Sequence, residues 1–258
     1  MRADLAIDAF KREMSGRYSF GVCKEGLSAL VNGLVEECNA LGNITFKLNT
    51  QVKDVKGQTA RCKESDYSAP HIILALHSDA IREFPSVMQR YSRILHHLKM
   101  EPLVRMYAVF PMDMSHLLQE KIVSSGRIRY IIPVNPRKGV VMISYTDGDD
   151  ARYWMRKQKR EGDMAVIASV MKEFRAMFSE DVKIPDPTEF RIYPWTSGCT
   201  YWLPGAYDPK KESEFVLNPR KGLYMCGESF SMRQAWIEGA LEHATQLLHL
   251  LPSLLKSN

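Results

Sequence analysis

Residues 225–241, MCGESFSMRQAWIEGAL, hold two glutamates ten positions apart, Glu228 and Glu238. An apolar run ends on Gly227 and Glu228. Beyond it, Trp236, Ile237, Ala240, Leu241, Ala244, Leu247, Leu248 and Leu251 recur at intervals of three and four, which predicts a helix. A polar turn between the carboxyl end of a sheet strand and the amino end of a helix is where open α/β sheets bind ligands. Free N–H groups point outward there, and the helix dipole favours negative charge. At the strand end, Glu228 is placed either to accept hydrogen bonds from sugar-alcohol hydroxyls or to cap the helix, with Glu238 then a satisfied structural acid. Local chemistry leaves both readings open.

The rest of the chain must position this turn. From Leu27 to Cys38 the apolar residues follow helical spacing, with a stop expected near Gly42. Short β-type runs follow at 44–48 (ITFKL), 51–55 (QVKDV) and 71–76 (HIILAL), the last apolar enough for a strand covered on both faces. Past Pro85, strands are predicted at 102–110, 128–134 and 139–148, then a helix carrying Val166, Ile167, Val170, Met171, Phe174, Met177 and Phe178 on one face. Pro185 and Pro187 close that section, and GLYMCGE returns to strand-then-turn grammar. The pattern is α/β plus α+β: a sheet-and-helix module over 84–192, set between two parts of a first sheet at 20–83 and 193–258.

Bulk properties exclude several classes. The 258 residues carry a net charge of only +5, a weak argument for nucleic acid or an anionic membrane. The basic cluster RYWMRKQKR at 152–160 reads as a solvated helix face, so a nucleic-acid partner is not expected. Five scattered cysteines without a CxxC argue against a disulfide framework or structural zinc, and the seven histidines form no recognisable ligand set, so no metal is expected. The apolar run near the C-terminus is broken by His249 and Pro252 and is shorter than the ~20 residues of a membrane span. A reducing, cytoplasmic setting is the expectation.

LYMCGES with AWIEGAL resembles the C-terminal flavin-binding signature of the flavin-containing amine oxidase family. The similarity extends upstream, in order, through FGVCKEGLSALVNGLVEECNALGNITFKLNTQVKDV, SDYSAPHIILAL and YPWTSGCTYWLPG. It implies a partial FAD-binding domain of Rossmann-like type interleaved with a substrate domain. By that resemblance Val52 pairs with adenine through backbone groups, Glu228 meets the ribityl or phosphate region, Ile237 offers its N–H to the flavin C2 carbonyl, and Gly227, Trp236 and Glu238, the second acid of the signature, are further cofactor-binding residues. A helix start aimed at that edge suits the negative charge of a reduced flavin.

The implied reaction is hydride transfer from a carbon beside an amine nitrogen to flavin N5, with oxygen reoxidising the FAD. Trp236 and one of Trp195, Tyr201 or Trp202 would form aromatic walls steering a small amine, although the same rings could be core. Many relatives place a lysine where PLVRMYAVF offers Arg105, and arginine is no simple substitute, because it stays protonated and forks its hydrogen bonds. The family's GxGxxG nucleotide-binding unit is absent, since Gly26, Gly33 and Gly42 are scattered singly. The expectation is therefore either the C-terminal portion of a longer oxidase that needs a missing N-terminal FAD-binding segment or partner, or a shortened, non-catalytic relative serving as a binding or structural protein.

Overall fold

The computed structural model describes residues 2–14, 23 and 25–256. In chain order come helices α1 (Ala3–Met14) and α2 (Ser28–Ala40), then strands β1 (Val52–Lys56), β2 (Thr59–Cys62), β3 (Tyr67–Ser68) and β4 (Ile72–Leu74). Next are α3 (Ser78–Arg82), α4 (Pro85–His96), β5 (Leu98–Val109), β6 (Ile122–Val123), β7 (Tyr130–Asn135) and β8 (Val140–Asp147). The remainder is α5 (Gly148–Glu161), α6 (Asp163–Arg175), β9 (Glu189–Trp202), α7 (Pro209–Leu217), β10 (Leu223–Met225) and α8 (Ile237–Lys256). The protein is thus a mixed α/β structure.

Three sheets form. β1, β2 and β3 make an antiparallel meander, β4 and β10 pair in parallel, and β6-β7-β8-β5-β9 is a five-stranded sheet whose pairings are all antiparallel. Period-two alternation along β5 decides what the large sheet covers. Val104, Met106 and Ala108 turn inward and are buried with Val141 and Ile143 of β8 against Val166, Val170 and Phe174 of α6 and Trp154 of α5. Leu103, Arg105 and Tyr107 therefore face the other way. The basic cluster of residues 152–160 lies within α5, where Lys157 and Arg160 pair with Glu161, and Arg152 with Glu101 and Asp149, as a solvated face would.

A second core gathers Leu74 of β4, Ile81 of α3, Val87 and Ile94 of α4, Leu223 and Met225 of β10, and Trp202. It draws on sequence from both sides of the first core. In it β4 and α3 from before residue 84 meet β10 and the end of β9 from after residue 192, with α4 packed among them.

Two strand expectations need correction. ITFKL at 44–48 forms no strand; Ile44, Phe46 and Leu48 are exposed, and no described segment pairs with them, so the backbone has no ladder to join. HIILAL forms a strand only at 72–74, and Ile73 is 47% exposed, so one of the two faces is bare. Likewise α2 forms where the periodicity places it, and its chain turns at Gly42 (φ 70°), yet it buries no residue. Among the described residues no helix is long and apolar enough to cross a membrane.

Candidate functional site

The turn after β10 is built from hydrogen bonds onto the end of β9. Glu228 accepts from the Thr200 N–H (3.0 Å), the Thr200 hydroxyl (3.0 Å) and the Ala235 N–H (2.6 Å). Gln234 accepts from the Trp202 N–H (2.7 Å) and donates to the Ser229 carbonyl (2.7 Å), while Ser229 Oγ accepts from the Ser78 N–H (3.0 Å). Buried polar groups in such a web are satisfied, and this gives the loop one conformation. Gly227 has φ 131°, a region L side chains rarely adopt, and its N–H donates to Nδ1 of buried His243 at 3.2 Å. His243 Nε2 lies 3.1 Å from the Ser213 carbonyl on α7, so the ring is neutral, with its proton on Nε2; burial lowers its affinity for a second proton.

The web delivers an open helix start. Trp236 is 58% and Ile237 50% exposed as α8 begins, and Glu238 is exposed in its first turn. Ala235 has a positive φ of 69°, which turns the chain into the helix. A Cβ on Gly239 would lie 1.9 Å from the Arg233 carbonyl, so only glycine lets the first turn sit against the preceding loop. The amino end of α8 is thus open to solvent.

The bare face of the five-stranded sheet is aromatic. Arg105 stands opposite Tyr145 of β8 and Tyr193 of β9. Its guanidinium lies 4.8 Å from the Tyr145 ring centroid, and its buried Nε has no hydrogen-bond partner among the described residues. Tyr107 meets Tyr193 edge-on, Tyr193 stacks on Trp195 at 6.1 Å, and Tyr130 lies 6.1 Å from Tyr145. A guanidinium amid electron-rich rings is a cation–π arrangement. Tyr201, further along β9, donates to Asp147 Oδ2 (3.5 Å) and accepts from the Cys199 thiol (3.4 Å). Burial pushes its phenol well above the ordinary range, so it stays protonated.

The sequence-derived residues are therefore placed unevenly. Gly227, Glu228, Trp236, Ile237 and Glu238 come together at the strand-to-helix turn, and Thr200 beside Tyr201 ties β9 to it. Arg105 belongs to the aromatic sheet face. Val52 opens β1 and packs partly against the second core. Trp202 is corrected: it is fully buried, its Nε1–H donates to the Ser231 carbonyl (3.2 Å), and it presents no face to a ligand. Sequence reasoning missed Thr200, Gln234 and His243, which bond Glu228, Trp202 and Ser213 at separations of 28, 32 and 30 residues. It also missed Tyr193 and Tyr145; the alternation of Tyr193 with Trp195 was the available signal.

The sequence profile of flavin-containing amine oxidoreductases matches residues 1–246. The chain belongs to that family, so a flavin-dependent oxidoreductase is the class to which its site is to be referred. A search of curated proteins finds no match.

Proposed function

We propose that this chain forms the flavin-ring and substrate side of an FAD-dependent amine oxidoreductase. The observation that carries the reading is the open amino end of α8, held by the Glu228 web at the carboxyl end of the parallel pair β4–β10. Two parts of one Rossmann-like domain would flank a substrate domain built on the five-stranded sheet.

The residues fit the ring end of the cofactor. Ile237 N–H would meet the C2 carbonyl, Glu228 and Gly227 would border the ribityl chain, and the first turn of α8 would favour added negative charge. A bound flavin would supply the two-electron chemistry, with hydride leaving the carbon beside a neutral amine nitrogen for N5, the resulting iminium losing its proton to water, and oxygen as the final electron acceptor. Trp236 with Tyr201 or Trp195 would orient the amine, and the aromatic sheet face would keep water from the reacting carbon. Arg105 holds its charge throughout and would position substrate rather than move protons.

Fit is lacking at the diphosphate end, because no glycine cluster of this chain makes a GxGxxG turn. A nucleotide-binding unit would supply that cradle and cover the bare apolar surface of α2 and β4. The same lack favours a second reading, a non-catalytic relative kept for its surfaces. A titration of the purified chain with FAD, alone and with a co-expressed GxGxxG unit, separates the two readings. Saturable uptake with a flavin spectrum and amine-dependent peroxide supports the oxidoreductase. A colourless protein under both conditions removes it.

A further inference from the structure

A cleft of about 400 Å³ lies between the β1–β2 hairpin, the first turns of α4 and the start of β10. Its floor is apolar and buried: Val55, Val87, Leu223 and the ring of Tyr91, whose hydroxyl finds no partner among the described residues. Its rim is cationic, with Lys56, Arg90 and Arg220, and no acid lines it. Arg220 is fixed in place by donating to the Gly57 and Lys221 carbonyls. Among the described residues neither Lys56 nor Arg90 has an ion-pair partner. Asp54, which accepts from the N–H (3.1 Å) and hydroxyl (2.6 Å) of the lining residue Ser86, keeps its negative charge, so the rim sets three cations against one neighbouring acid.

This cleft is separate from the flavin turn. Strands β4 and β10 run in parallel, and Leu223, which lines the cleft, is the first residue of β10, whereas Gly227 and Glu228 follow its last. The two places are at opposite ends of the same strands, and ligands of the cofactor type enter at the carboxyl ends. We infer that the amino-end cleft binds a phosphorylated small molecule with a flat apolar body, a ligand distinct from the flavin. Three cations around one opening match a dianion better than a single carboxylate, which one arginine fork would satisfy. The volume suits a small-molecule ligand, and the floor of valines, leucine and a tyrosine ring suits its flat part.

Titration calorimetry of the full chain tests this with phenyl phosphate, and with inorganic phosphate and phenol as its two halves. Phenyl phosphate should bind saturably and more tightly than either half, and more weakly as salt rises. The exposed pair Lys56→Ala/Arg90→Ala should lose at least about tenfold in affinity, as loss of charge-assisted hydrogen bonds implies. The remote pair Lys159→Ala/Lys210→Ala should lose none. Absence of saturable binding, or equal affinity in the first pair and the parent, or equal loss in both pairs, overturns the proposal. Saturating FAD should leave phenyl phosphate affinity unchanged; competition would place the probe on the FAD site, whether at the flavin turn or beside Val52 of β1, and also overturn it.

Discussion

Trp202 and Trp236 are the same residue type 34 positions apart, and burial assigns them opposite tasks. Trp202 is fully enclosed, so Trp202→Ala should cost about 3–5 kcal/mol in denaturant unfolding through a large cavity. Trp236, more than half exposed, packs against little, and Trp236→Ala should stay within about 0.5 kcal/mol of the parent. If Trp236 is an aromatic wall, that variant should still lose most of its amine-dependent turnover; unaltered turnover would contradict the role. Glu228 sits between these extremes. In Glu228→Gln the amide oxygen still accepts from the Thr200 and Ala235 N–H groups, and the amide NH2 can donate to the Thr200 hydroxyl. The charge assistance to three bonds is lost, so unfolding should become easier by about 1 kcal/mol while secondary structure stays intact. Flavin retention should weaken at the same time, and equal occupancy in mutant and parent would refute Glu228 as a cofactor residue.

Elements were legible where local periodicity decided them and illegible where a distant partner did. The stripes of α2, α6 and α8 and the alternation of β5 were readable because each repeats within a few residues. ITFKL had strand composition but no ladder, and no local pattern reports a missing neighbour. At the site, the strand-turn-helix could be read from Gly227, Glu228 and the helical spacing after Trp236. The pins that fix it could not, because Thr200 and His243 make their bonds across elements. His243 joins the end of β10 to α7 from within α8, and burial lowers its proton affinity below the ordinary 6.5. A histidine with a depressed folded pKa stabilises fully above about pH 6.5 and loses that contribution as pH falls, because the unfolded chain takes the proton more readily. His97, also depressed mainly by burial, adds to the same slope. Thermal melts between pH 7.5 and 5.5 should therefore show stability falling on acidification, and His243→Gln should flatten part of that fall. A slope identical to the parent's would mean that His243 does not titrate with unfolding.

At the scale of the whole molecule, apolar surface is left uncovered, and the proposal above is that a nucleotide-binding unit covers it. Leu30, Val31 and Leu34 of α2 are 50%, 59% and 52% exposed, and Ile73 of β4 and Leu241 of α8 are similarly bare. Scattered exposed leucines are ordinary, but here the apolar stripe of one helix is left without a buried residue, and the outer face of β4 is open at Ile73. A helix that buries nothing contributes little to the stability of the chain that carries it. Replacing the stripe with Leu30→Lys, Val31→Glu and Leu34→Lys should therefore leave the unfolding free energy of the isolated chain within about 0.5 kcal/mol. The same triple variant should abolish the rise in melting temperature that FAD and a co-expressed GxGxxG unit together confer on the parent, since burial of three such side chains is worth roughly 1.5–3 kcal/mol each. If the variant gains as much as the parent, the stripe of α2 is not the covered surface.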